Sequence, residues 1–142
     1  MQLPPSLSFD AEVAGAFLAS VRRRYDGALA CEPRHASWFT PEASKRLVDM
    51  EVARVAADPA VVPQAAEPGG WGGLVYYRLH GSPKVYSSAY PAGYLDALAV
   101  TLREAADTAP TWCIFDNTAQ GAATADALAV SERLGQVMDD HE

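Results

Sequence analysis

The sequence predicts an α/β protein: part of a TIM-type (β/α) barrel, roughly its last four βα units, built as a parallel sheet with helices on one face. Three observations predict it. Four short apolar runs each end in polar residues: Ala28-Leu-Ala-Cys-Glu-Pro-Arg-His35, Val52-Ala-Arg-Val-Ala-Ala-Asp58, Leu74-Val-Tyr-Tyr-Arg-Leu-His80 and Trp112-Cys-Ile-Phe-Asp-Asn117. That is the pattern of barrel strands, whose carboxyl ends carry function. Their polar ends recur at spacings near the roughly 30 residues per unit expected when ~250 residues form eight repeats. Helix-period segments also alternate with the runs, for which a parallel sheet with right-handed crossovers is the economical architecture.

Asp10 is placed to cap a first helix, in which Val13, Phe17, Leu18 and Val21 recur at helical spacing and Arg22, Arg23 and Arg24 complement the negative end of the dipole. Thr40-Pro41 reads as cap and first-turn proline of a second helix, running to about Asp49 or Met50. Between Val61 and Gly73, two prolines and four glycines exclude a long helix, so this crossover is expected to be a loop with at most one short turn. The segment Gly81 to Tyr90 is longer than connections usually need, a common mark of a functional loop. Pro91 starts a helix with Leu95, Leu98, Ala99 and Leu102 on one face, and an alanine-rich helix is expected from about Ala122 to Met138.

With 142 residues, 49% of them apolar and 20% charged, the chain has the size and composition of one globular domain, read as residues 1–142. A formal net charge of −7 argues against general nucleic-acid binding, which needs a basic surface. No apolar run approaches membrane-spanning length and the first residues lack a leader pattern, so the expected location is cytoplasmic. Cys31 and Cys113 fall in different strands and are expected as buried free thiols.

Alternation along a strand puts Tyr76, Arg78 and His80 on one face and Val75, Tyr77 and Leu79 on the other. The apolar set should face the helices. Arg78 then points inward, where it needs an anion, and Glu32 is the expected partner. Glu32 and His80 are the candidate acid/base residues. Arg34, Arg78 and His80, with Asn117 and the loop after Gly81, form a candidate anion pocket. His35 and Asp58 stand at the same strand ends, and Trp38, Tyr86 and Tyr90 lie in the following loops, placed to wall that pocket. No metal-ligand spacing, nucleophile elbow or phosphate-binding glycine loop is present, so no metal or cofactor is assigned.

Five segments in consistent order, Leu3-Pro-Pro-Ser-Leu-Ser-Phe-Asp10, Glu32-Pro-Arg-His-Ala-Ser-Trp38, Ala56-Ala-Asp-Pro59, Tyr77-Arg-Leu-His-Gly81 and Phe115-Asp-Asn-Thr118, resemble the domain of unknown function 72 family, the YecE-like proteins. The resemblance implies a (β/α) barrel without an assigned activity. It implies characteristic polar positions at Glu32, Arg34, His35, Trp38, Asp58, Arg78, His80 and Asn117. It also implies that the chain corresponds to the carboxyl-terminal half of such a barrel. The expected function is binding or processing of an anionic small molecule, a phosphate ester or sugar derivative. The alternative is a non-catalytic binding or interaction protein, or a remnant without activity. A half-barrel exposes sheet edges and an apolar concave face that something must cover, either a second copy of the chain in a homodimer or an amino-terminal segment.

Overall fold

In the computed structural model, which describes residues 1–135, strands and helices alternate along the chain. Helix α1 spans Ala11–Arg22, capped by the Asp10 carboxylate, which accepts from the Glu12 and Val13 amides. Strand β1 is Leu29–Cys31, helix α2 Pro41–Asp49, and strands β2 and β3 are Val52–Arg54 and Ala56–Asp58. Strand β4 is Gly69–Gly70, β5 Val75–Leu79, α3 Ala92–Ala106, β6 Thr111–Phe115 and α4 Ala122–Gly135. Short 3-10 turns occupy Ala36–Trp38 and Pro63–Ala66. The end of the last helix anticipated from sequence, residues 136–138, lies outside the described residues.

The strands form two three-stranded sheets, ordered β1-β2-β4 and β3-β5-β6. Their parallel pairings follow chain order: β1 with β2, β3 with β5, β5 with β6. Strands β2 and β3 are one apolar run interrupted at Val55, whose amide still donates to the Cys31 carbonyl at 2.9 Å. The run therefore pairs through its first half with β1 and through its second half with β5. On the far side of β1, Gln2 bridges in parallel to Glu32.

Alternation and register assign the faces. Val75, Tyr77, Leu79, Cys113 and Phe115 look toward the helices and, with Ala56, Tyr90, Leu95, Leu98, Leu102 and Val130, make the larger core. A second core joins Leu18, Cys31, Leu47 and Val52 beneath α1 and α2. Ala99 beside Leu98, and Ala123 in α4, are also buried, as the alanine content of these helices suggests. The opposite face carries Tyr76, Arg78, Trp112 and Ile114, with Tyr76 opposite Trp112 and Arg78 opposite Ile114. Trp112 is 58% exposed there.

Several details differ from the sequence reading. In α1 the buried stripe is Ala14, Gly15 and Leu18, whereas Val13 and Phe17 are exposed, because no described element covers that side of the helix. The glycine-rich crossover includes a pairing that periodicity does not reveal: β4 runs antiparallel to β2. Gly70 makes this possible, with φ of +65° and a position where a Cβ would lie 2.6 Å from the Val52 carbonyl oxygen. Arg22 does more than complement a dipole. Its guanidinium donates to the carbonyls of Gly27 (2.6 Å), Met50 (2.8 Å) and Glu51 (2.5 Å), tying the end of α1 to the end of α2. Cys31 is buried but Cys113 only partly so; both are free. Among the described residues no helix is long and apolar enough to cross a membrane.

Candidate functional site

The carboxyl ends of β1, β5 and β6 bring four charged or titratable side chains into one cluster. The ladder continues beyond the named strands, with the His80 amide donating to Asp58 O and the Asp116 amide to Leu79 O, both at 2.7 Å. This extension keeps Arg78, His80 and Asp116 on the face opposite the helices. Glu32 follows β1, its backbone held between Met1 and Leu3: its amide donates to Met1 O (2.8 Å) and its carbonyl accepts from the Leu3 amide (2.9 Å).

His80 is fully buried and faces a carboxylate at each ring nitrogen: Nε2 lies 2.7 Å from Glu32 Oε1 and Nδ1 3.1 Å from Asp116 Oδ2. Arg78 bridges the same two acids, with Nη1 2.8 Å from Glu32 Oε2 and Nη2 2.7 Å from Asp116 Oδ2. Its Nη1 also donates to the Gln2 side-chain oxygen at 2.5 Å. Arg34 makes one longer contact, 3.4 Å to Glu32 Oε1. Burial alone would raise the Glu32 carboxyl pKa, but the hydrogen bonds from His80 and Arg78 and their charges outweigh it and hold the value below the ordinary one. For Arg78 burial acts downward, and the bond and charge of Glu32 with the charge of Asp116 outweigh it and raise the pKa.

Since carboxylates only accept, the Glu32–His80–Asp116 line needs two hydrogens: both on the ring, or one on the ring and one on a carboxyl. Such a line can pass a proton between its members with little heavy-atom movement. Among the described residues no group of three or more His, Cys, Asp or Glu is arranged to hold a metal ion.

A family model described as Protein of unknown function DUF72 matches residues 1–141. The chain belongs to the DUF72 family. Among solved structures it is similar to a DUF72 family protein from Enterococcus faecalis V583, with 20% identity and a TM-score of 0.76 over 94% of this chain and 56% of that one. It is similar also to a DUF72 family protein from Thermotoga maritima MSB8, at 22% identity and a TM-score of 0.72 over 97% of this chain and 56% of that one. The likeness is one of fold, and the chain spans little more than half the length of these relatives. No curated protein matches it.

On this DUF72 fold the remaining residues singled out by sequence fall into supporting places. Trp38 is buried, donates its indole N–H to Leu7 O at 3.0 Å and packs edge-on against Phe9, where it lines an apolar cavity with Leu7, Phe17 and Leu18. Tyr90 is buried as well: its hydroxyl donates to Asp58 Oδ2 (2.7 Å) and accepts from the Gly81 amide (2.8 Å), which also occupies Asp58. Asn117 is fully buried, with its amide nitrogen given to Ser88 O (2.9 Å) and Asp126 Oδ2 (2.7 Å) and none free for a ligand. His35 caps the turn at Ala36–Trp38, its Nδ1 accepting from the Ser37 amide. Tyr86 alone of the three loop aromatics is exposed, at 44%, and meets the His80 ring edge-on at 5.5 Å.

Sequence reasoning assigned no site role to three participants. Asp116 was detectable by register, since the residue after Phe115 lies opposite His80 once β5 and β6 are aligned. Gln2 reaches Arg78 only because the first residues add to the sheet beside β1, for which a single polar side chain gives no signal. Asp126 lies on the face of α4 turned to the loops, a buried acid in an alanine-rich helix.

Proposed function

We propose that this DUF72 chain is a single domain forming the carboxyl-terminal half of a (β/α) barrel, and that its strand-end cluster binds and processes an anionic small molecule, of the phosphate ester or sugar-derivative class. Glu32 and His80 serve as the acid/base pair, and Arg34 with Arg78 holds the anion. The succession of parallel pairings in chain order, with helices on one face, supports the half-barrel reading.

The observation that carries the functional reading is the buried His80 clamped between Glu32 and Asp116. Taking such charges out of water costs more than well-packed apolar residues of the same volume would, so an ionised buried cluster at strand ends favours a chemical role. Arg78 is already neutralised by two acids, whereas Arg34 has a single long contact. Arg34 is therefore the cation with capacity to spare for a ligand, and Arg78 mainly sets the charge state of Glu32.

Thermal-shift titration with inorganic phosphate, simple phosphate esters and sugar phosphates tests this. A ligand that binds only the folded state raises the midpoint in proportion to the logarithm of its concentration. The rise should vanish in Arg34→Ala while the unliganded midpoint holds. A shift untouched by that variant, or none with any of the anions, would overturn the assignment.

The same reading places a second copy of the chain over the concave face. Exposed Trp112, beside Tyr76 and Ile114, and the unpaired outer edge of β6 support it, because soluble proteins cover such surfaces.

A further inference from the structure

The ring of Tyr86 packs edge-on against His80. It stands perpendicular to the imidazole at 5.5 Å, and while His80 is wholly buried Tyr86 is 44% exposed. Its backbone is unusual: φ is +64°, a left-handed conformation that bulky side chains rarely adopt. Two backbone bonds impose it. The Tyr86 amide donates to His80 O at 2.5 Å, closing the loop back on the strand end, and its carbonyl accepts from the Ala119 amide at 2.9 Å, joining it to the loop after β6.

A tyrosine is a poor choice if the turn alone mattered. Glycine or asparagine would take the same φ at lower cost. The conformation instead fixes the direction of an aromatic ring over the most buried member of the cluster. Backbone held in a sparsely populated region, by bonds from two different strand ends, is a recurring device where a side chain must be aimed.

We propose that Tyr86 is the specificity-determining residue of the site: its ring shields the Glu32–His80 pair from water and forms the wall against which a ligand must fit. The proposal deepens the acid/base reading above and rests on it for the ligand, while the shielding stands on geometry alone. A ligand that approaches His80 from the Tyr86 side meets this ring. Planar or apolar parts of that ligand would then lie against Tyr86, with its anionic group toward Arg34.

The test is the rate at which diethyl pyrocarbonate modifies His80, followed by peptide mass spectrometry with His35 as an internal reference. Tyr86→Phe should leave the ratio unchanged, since the ring persists. Tyr86→Gly keeps the left-handed backbone and removes the ring, and the His80 to His35 ratio should rise roughly tenfold, as expected when burial no longer depends on a local opening. Tyr86→Asn, which also tolerates the conformation, should behave like glycine and guards against a folding defect in one variant. An unchanged ratio in both ring-removing variants would overturn the proposal and leave the acid/base reading standing. A raised ratio with no anion binding to the parent chain would uphold the shield and remove the functional reading.

Discussion

His80 Nε2 lies 2.7 Å from Glu32 Oε1 with both side chains closed to solvent, although the two residues come from different sheets. Glu32 makes a second strong bond, to Arg78. Replacing Glu32 by Gln keeps its shape but removes one of the two carboxylates that Arg78 and His80 face. Breaking one partner out of a buried ion pair costs on the order of 3 kcal/mol. Chemical denaturation should show a loss of that size in Glu32→Gln, and a loss below about 1 kcal/mol would mean that the cluster is solvated in solution.

The pH dependence follows from the same carboxyl. Its folded-state pKa lies below the ordinary value, so Glu32 contributes stability above the unfolded-state pKa and loses it as pH falls through the folded one. Denaturation midpoints measured from neutral to strongly acid pH should fall across the carboxylate range in the parent chain. In Glu32→Gln that acid slope should be shallower, and equal slopes would contradict the assignment.

Tyr90 holds Asp58 and the Gly81 amide with one hydroxyl. Burial, then the hydrogen bond to Asp58, pushes its phenol well above the ordinary value, so it stays a donor throughout the working pH range. Tyr90→Phe leaves a half-buried carboxylate and a buried amide short of a partner, at about 1–3 kcal/mol. Faster amide exchange at Gly81 than in the parent chain is the accompanying sign.

Both thiols are predicted to be sluggish. Burial pushes Cys31 up to about 11 and Cys113 up to about 12. Because the thiolate is the reactive form, a disulfide reagent near pH 8 should titrate well under one thiol per native chain, and both after denaturation. Rapid reaction of both in the native protein would show that the sheet opens readily.

Light scattering tests the second copy. A particle near twice the 15.1 kDa chain mass is expected, and Trp112→Glu, which puts a charge on the face opposite the helices, should shift it toward the single chain. A compact, stable monomer across micromolar concentrations would rule the pairing out.

Much of this architecture was legible because its signals are local or periodic. Thr40-Pro41 and Asp10 start helices for reasons contained within one turn, and the alternation of Val75 to His80 sorted the core face from the opposite one before any neighbour was known. The pairing of Glu32 with Arg78 followed from parity and strand order. What escaped depended on contacts between distant segments. Asn117 reads as a ligand donor at a strand end, and Tyr90 and Trp38 as pocket walls in the loops, but their hydrogen bonds go to partners elsewhere in the chain, Asp126, Asp58 and Leu7. The pairing of Gly69 and Gly70 has no side-chain pattern, since it consists of backbone and an absent Cβ.

The run from Val52 to Asp58 gives its first half to β1 and its second to β5, so Glu32 stands on one sheet while Arg78, His80 and Asp116 stand at the end of the other. The cluster is thus a clasp across a seam. A ligand that competed for Arg78 or His80 would draw on bonds that also fasten one sheet to its neighbour.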